Sequence, residues 1–140
     1  LMLNKIKLGA NQGFIEINLG DTIDWQNKGT VSIQSGNYYV MNAEIWITLD
    51  ELISLYEQLQ EAYKTLKGNI TFANLDGTLH FTLQFNSFGQ IHIDGSFQEL
   101  PSQKNELEFE FMIDQSHLPT ALLDMKPIVE PYYIQQKSKE

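Results

Sequence analysis

Residues 48–68 constrain the fold most, because they are the one stretch whose sequence marks a helix at both ends. Thr48 and Glu51 stand at the spacing of a capping box, in which each side chain accepts a hydrogen bond from the other residue's backbone N–H. Lys64 suits the negative C-terminal end, and Gly68 can take the left-handed conformation that often ends a helix. The sequence therefore predicts a long helix that begins after Thr48.

Apolar side chains recur along this predicted helix at three- and four-residue steps, the spacing of a single helix face. They are Leu52, Leu55, Tyr56, Leu59, Ala62, Tyr63 and Leu66. We expect this face to pack on a sheet. The opposite face carries a polar line formed by Asp50, Ser54, Glu57 and Glu61. Such a line is typical of a solvated helix face, and the alternative is an acidic docking surface for a partner.

Before the helix, short β-prone runs and turn residues predict antiparallel strands. Residues 3–8 and 14–19 flank a glycine-containing turn, which indicates a hairpin. Residues 27–29 are expected to turn the chain into another strand over residues 30–34.

A further strand is predicted over residues 38–47, where apolar and polar positions alternate and successive side chains point to opposite faces. One face takes Met41, Ala43, Ile45 and Ile47. Trp46 falls on the other face. We expect Trp46 to pack beneath another element, and the alternative is an exposed aromatic anchor for a partner.

The chain after the helix reads as a meander of antiparallel strands. The Asp-Gly pair at residues 76–77 is a strong signal for a tight hairpin, and it pairs Phe72 with Phe81. Continuing the register through the next two strands places Gly95 between Phe81 and Phe109. Aromatic side chains that cover a strand glycine in this way support the register.

The same register predicts which polar side chains share the outer face of the meander. The rows are Thr82, Asp94 and Glu110; His80, Ser96 and Glu108; and Gln84, His92 and Met112. Opposed carboxylates such as Asp94 and Glu110 are unfavourable unless a cation or a shared proton relieves them. The two histidines and three carboxylates suggest a metal site or an acid/base pair. A plain solvent-facing sheet is the stronger interpretation, because an open face lacks the pocket that catalysis uses.

The last part of the chain predicts a short amphipathic helix. Pro127 and Pro131 are expected to stop it, and residues 132–140 to form a frayed tail. The predicted fold is α+β: N-terminal hairpins and a C-terminal meander form antiparallel β-sheet against one long helix, with a short C-terminal helix. We expect residues 1–140 to form a single domain.

Charge and composition exclude several functions. All nine basic residues are lysines, and eighteen acidic residues bring the net charge to −9. Nucleic acid is therefore an unsuitable partner, whereas a basic protein would be attracted. No run reaches the roughly 18 apolar residues that cross a bilayer, and no secretory signal precedes the strands, so we expect a cytoplasmic protein that does not enter membranes.

The chain has no cysteine, which removes disulfides, thiolate nucleophiles and thiolate metal sites together. None of the common nucleotide-binding, zinc-protease, hydrolase or calcium-binding motifs occurs. A binding protein without a cofactor is therefore favoured over an enzyme.

Three parts of the sequence resemble the WapI-like bacterial immunity proteins. They are the strand-to-helix passage AEIWITLDELISLYEQL, the strands GTLHFTLQF and GQIHIDGSF, and the ending NELEFEFMIDQSHLPTALL, all within the stretch of residues 42–128 that carries the resemblance. The resemblance implies an antitoxin that stays in the producing cell's cytoplasm and neutralises a cognate polymorphic toxin domain by occluding it. It implies no catalytic residues.

Candidate contacts for such a partner are Trp46, Asp50, Glu57, Glu61, Asp94, Glu108 and Glu110. Two alternatives stay open. One is a small-ligand carrier whose cavity is lined by aromatic residues such as Tyr63, Phe72, Phe81 and Phe109. The other is a hydrolase or metal-binding protein that uses His80, His92 and the neighbouring carboxylates.

Overall fold

The computed structural model describes residues 4–138, which form two antiparallel sheets and two helices. In chain order these are β1 Asn4–Ala10, β2 Gly13–Leu19, β3 Gln26–Ser35, β4 Tyr38–Thr48, α1 Leu49–Thr65, β5 Asn69–Ala73, β6 Leu79–Phe85, β7 Gln90–Phe97, β8 Leu107–Asp114 and α2 His117–Ser138. The first sheet has the order β1-β2-β3-β4 and the second β5-β6-β7-β8. The predicted α+β class is confirmed, and α1 connects the sheets.

The core lies between the inner faces of the two sheets and the two helices, and its apolar side chains form one cluster. Gly13, at the start of β2, marks a point where the sheets pack closely, because a Cβ atom there would collide with the ring of Phe111 in β8. A side chain larger than hydrogen at residue 13 would push the sheets apart.

The predicted capping box of α1 is present. The Glu51 N–H donates to Thr48 Oγ1 at 3.2 Å, and the Thr48 N–H donates to Glu51 Oε1 at 2.7 Å. The expectation that Gly68 ends the helix is wrong, because Leu66 takes the left-handed conformation with φ +56° and its N–H bonds to the Ala62 carbonyl. The buried side of α1 packs on α2 and on β5, at the margin of the second sheet.

The C-terminal helix is longer than predicted, because α2 spans 22 residues and runs through both prolines. Each proline removes a backbone donor from the helix. Burial of Met125, Ile128 and Val129 compensates, since α2 packs against β1 and α1 along its length. Residues 132–138, expected to belong to a frayed tail, continue this helix, and residues 139–140 lie outside the described range.

The turn predicted at residues 27–29 is wrong, because these residues lie within β3. Asn27 is buried and holds the preceding loop in place. Its side chain accepts from the Asp24 N–H at 2.8 Å and donates to the Asp24 carbonyl at 2.9 Å. Asn27 thus orders the loop before β3 and does not form a turn at residues 27–29.

Strict alternation in β4 is interrupted by a β-bulge. The register of β3 against β4 shifts between Val31 and Ile33, so that Met41 and Asn42 together lie opposite Ser32. Asn42 adopts φ +50°, and its N–H donates to Ser32 Oγ at 2.9 Å. Met41, predicted on the inner face, is therefore 77% exposed.

Both edges of each sheet receive a side chain from elsewhere in the molecule. The contacts are Asp124 with the Lys7 N–H of β1, Glu99 with the Glu44 N–H of β4, Gln58 with the N–H and C=O of Thr71 in β5, and Ser35 with the N–H and C=O of Glu110 in β8. Unpaired edges invite pairing with other chains, so these contacts limit aggregation and fix the strands that carry the outer faces.

Candidate functional site

The outer face of the second sheet carries the residue rows that the sequence predicts. Strand pairing places Thr82 beside Asp94 and Asp94 beside Glu110, with a His80, Ser96 and Glu108 row on one side and a Gln84, His92 and Met112 row on the other. We call this surface, with Asp94, Glu108 and Glu110 as its carboxylates, the acidic face. No lysine occurs in β5, β6, β7 or β8.

Hydrogen bonds order part of the acidic face. Thr82 Oγ1 donates to Asp94 Oδ1 at 3.0 Å, and His92 Nε2 lies 3.0 Å from Glu110 Oε2. The Ser35 hydroxyl, which reaches across from β3, bonds to the backbone of Glu110. These contacts hold Asp94 and Glu110 on adjacent strands although their charges repel.

The neighbouring row is organised around a second polar contact. Ser96 Oγ lies 2.8 Å from His80 Nε2, and Glu108 occupies the next position in that row. A shallow, open depression follows these residues over Gly95 towards Glu110. The surface therefore suits a partner that covers it from outside better than a small substrate that needs an enclosing pocket.

Three donor atoms on this face are close enough to share a cation. They belong to His92, Asp94 and Glu110 and lie within 4.8 Å of one another. One imidazole and two carboxylates are suitable ligands for a zinc-like ion. The Glu110 side chain is 71% exposed and already pairs with His92, so the same geometry is equally that of a surface ion pair.

The structure does not bring Trp46 to the acidic face. Trp46 lies opposite Lys28 on the outer side of the first sheet, and it is 41% exposed, so the expectation that another element covers it is wrong. Its indole borders a shallow pocket with Leu75 and Asp76 beside the start of α1. Any role of Trp46 in binding would be separate from that of the acidic face.

The polar line on α1 is partly tied to the rest of the molecule. The Tyr133 hydroxyl of α2 donates to the Glu57 carboxylate; burial and this carboxylate together raise the pKa of Tyr133 to about 12. Glu61 lines an open groove with Glu57 and Leu122. Asp50 is exposed in the first turn. Glu57 thus has a structural contact that a freely solvated face would not require.

Sequence reasoning missed an exposed apolar cluster at the β3–β4 hairpin. Tyr38, Tyr39 and Met41 are 70%, 59% and 77% exposed, and they lie beside β8 because Ser35 bonds to Glu110. The signal was two consecutive tyrosines next to a Gly-Asn turn, since consecutive strand residues cannot both face the core.

The carrier hypothesis loses its predicted cavity. Phe72 and Phe81 are 3% and 1% exposed and stack with ring centroids 5.1 Å apart, so they fill the interior. Phe109 is also buried, at 5% exposure, and Tyr63, the remaining proposed lining residue, lies at the surface. Among the helices of residues 4–138, none is both long enough and apolar enough to cross a membrane.

Comparison with known protein families shows to which family this chain belongs. The model described as "Immunity protein WapI-like family" matches residues 8–133. The chain belongs to the WapI-like immunity protein family. The match confirms the resemblance and extends it to the N-terminal strands. For this WapI-like chain, membership indicates an immunity function exercised by binding a toxin.

Other comparisons add only the fold. Curated proteins gave no match to this WapI-like chain. Among solved structures, the crystal structures of MRP1/MRP2 from Trypanosoma bruciei are similar with a TM-score of 0.57 and 7% identity, covering 95% of this chain and 87% of that one. At this identity the likeness concerns the arrangement of sheets and helices.

Proposed function

We propose that this chain neutralises a cognate polymorphic toxin in the cytoplasm by covering a basic surface of the toxin domain with its acidic face. One observation carries the proposal: Asp94, Glu108 and Glu110 share an open sheet face whose strands contain no lysine. Family membership supplies the toxin as the class of partner.

The opposed carboxylates support this choice of surface. Asp94 in β7 and Glu110 in β8 lie directly opposite each other, and the repulsion between their charges lowers the stability of the folded protein. A cationic partner would relieve that cost on binding, so part of the repulsion in the free protein would become affinity in the complex.

Rigidity also supports it. The acidic face is built on strands whose pairing is continuous from β6 to β8, and Ser35 anchors the outermost of them. A preformed surface loses little conformational freedom on binding. Negative potential over such a face would also accelerate encounter with a basic domain.

The test begins by asking whether a polymorphic toxin gene lies immediately upstream of this chain's gene, and it then uses the C-terminal toxin domain which that gene encodes. Wild-type chain should protect a sensitive host that expresses this domain, and the purified proteins should bind. The combined variant Asp94→Asn, Glu108→Gln and Glu110→Gln should lower affinity about 100-fold, because it removes the carboxylates that face the toxin.

The matched control is the helix variant Asp50→Asn, Glu57→Gln and Glu61→Gln, which changes net charge by the same amount. It should change affinity less than threefold. Equal losses in both variants would assign binding to overall charge, and a larger loss in the helix variant would move the interface to α1. Absence of both protection and binding by the wild type would end the proposal.

Metal binding is the second candidate, favoured by the grouping of His92, Asp94 and Glu110 within 4.8 Å. Calorimetric titration with Zn²⁺ and Ni²⁺ tests it. Heat that disappears in His92→Ala would support a site, and absence of heat with the wild type would remove the metal-dependent hydrolase as well.

A further inference from the structure

A groove beside the acidic face has the features of a strand-binding site. It lies between β4 and the segment that joins β7 to β8, and its lining includes Tyr38, Tyr39, Met41, Phe97, Glu99 and Glu106. Tyr38 and Met41 are among the most exposed large side chains of the described residues. Exposed aromatic and methionine side chains grouped at one place are typical of interaction sites.

The backbone of β4 is open towards this groove at Tyr39. Gly36 has φ +61° and begins a two-residue turn, so Ser35 and Tyr38 form the hydrogen-bonded pair that closes the hairpin. The next pair, Gln34 and Tyr39, is then non-hydrogen-bonded, and the N–H and C=O of Tyr39 point away from β3.

Within residues 4–138, the side chains described above each cover the backbone of one residue at a sheet margin. Glu99 accepts the Glu44 N–H farther along β4, and side chains cover parts of the other three edges. Within residues 4–138, no such contact covers the outward backbone groups of Tyr39. An uncovered edge is the template on which an extended peptide pairs.

The charges that line the groove indicate which kind of partner it would bind. Glu99 and Glu106 line the groove, and no lysine or histidine does so in the part of the chain that the structure describes. A second copy would bring the same two carboxylates and a net charge of −9 against them, so pairing of two copies is disfavoured. A segment with lysine or arginine beside apolar residues fits both features.

We propose that the toxin inserts an extended basic segment into this groove, where it pairs with the β4 backbone at Tyr39 and packs on the side chains of Tyr38, Tyr39 and Met41. This inference rests on the proposed function and names the second half of its interface. The Ser35–Glu110 contact joins the hairpin to β8, so the groove and the acidic face form one continuous surface.

Two substitutions of one residue separate side-chain from backbone binding. Tyr39→Ala keeps the outward N–H and removes the ring, and should weaken binding to the upstream-encoded toxin domain about tenfold. Tyr39→Pro removes the donor as well and should weaken binding about tenfold more. Proline is compatible with an edge position whose N–H faces outward, so the β3–β4 pairing should persist.

Trp25→Ala is the control, because Trp25 is 60% exposed but lies outside the groove. Its affinity should equal that of the wild type. If Tyr39→Pro fails to fold, hydrogen exchange on the wild-type complex replaces it: the Tyr39 amide should become protected. Wild-type affinity of Tyr39→Ala, or an unprotected Tyr39 amide in the complex, overturns the groove while leaving the acidic face intact.

A peptide probe tests the groove without the toxin. A hexapeptide that alternates lysine and valine should shift the amide resonances of Tyr39 and Met41, and its counterpart that alternates glutamate and valine should not. If the toxin domain does not bind at all, the proposed function fails, and the peptide alone then decides: equal or absent shifts with the two peptides overturn the groove.

Discussion

The outer faces of the two sheets are built alike and charged differently. On the first sheet, Glu44 lies 3.4 Å from the ammonium of Lys28, and Glu16 lies opposite Lys7. On the second sheet, Asp94 lies opposite Glu110; Thr82 donates a hydrogen bond to Asp94, and His92 contacts Glu110.

Burial and strand alternation explain why both faces are polar, but they do not explain this difference. Paired charges suit a face that only meets water. Opposed carboxylates without lysine suit a face that binds a positive partner, and this difference is the ground on which we propose the second sheet as the partner-binding one.

The largest expected effect on stability concerns Gly13, where the two sheets pack against each other. Gly13→Ala should destabilise the protein by about 2 kcal/mol, because the added methyl group meets Phe111 where the sheets contact. Chemical denaturation measures the change, with Gly20→Ala as control because a Cβ atom at residue 20 would meet nothing within 4 Å. Unchanged stability would mean that the sheets adjust freely and that the faces are not rigidly related.

The next effect concerns the connection between the sheets. Thr48→Ala should cost about 1 kcal/mol, because it removes the side-chain acceptor for the first turn of α1. Thr65→Ala, at the other end of the helix, should cost less. Equal melting temperatures for Thr48→Ala and wild type would argue that the cap does not stabilise the passage from the first sheet to α1.

Neutralising one carboxylate on each face tests whether the outer faces of the two sheets differ in their electrostatics. Asp94→Asn retains an acceptor for Thr82 and removes repulsion with Glu110, so it should raise the unfolding free energy by a few tenths of a kcal/mol at low salt. Glu44→Gln removes the pair with Lys28 and should lower it by a similar amount. Effects of the same sign on both faces would contradict the proposed distinction.

A further effect, confined to high pH, tests the contact between Tyr133 on α2 and Glu57 on α1. The pKa of Tyr133 is raised from 10.0 to about 12, so the folded state keeps a proton that the unfolded state has lost. This contribution to stability is complete below pH 10 and is lost as pH rises towards 12. Stability of Tyr133→Phe should therefore fall less steeply than wild type across that range. Parallel pH-dependence curves for the two proteins would show that the contact between Tyr133 and Glu57 does not stabilise the fold.

The second sheet was predictable in detail because its signals are local. The hairpin pairing of Phe72 with Phe81 and the placement of Gly95 between Phe81 and Phe109 are confirmed. Turn residues at residues 76–77 set the register, and a register determines every side chain on both faces. The candidate carboxylates could therefore be placed on one surface before their geometry was known.

Features that depend on distant contacts were not predictable. Packing of α2 on β1 and α1 overrides the helix-breaking tendency of Pro127 and Pro131. The left-handed conformation of Asn42 creates the bulge that exposes Met41. The usual sequence signal for that conformation, a glycine, does not stand at residue 42. The aromatic groove escaped prediction for the same reason, since it forms between β4 and a loop far along the chain.

The most direct test of the acidic face is the salt dependence of its association rate with the upstream-encoded toxin domain. Stopped-flow rates should fall steeply with ionic strength for wild type and for the first-sheet variant Glu16→Gln and Glu44→Gln. The variant Asp94→Asn, Glu108→Gln and Glu110→Gln should show a slower rate that depends little on salt. Equal salt dependence in the acidic-face variant and wild type would contradict the assignment of partner binding to the second sheet.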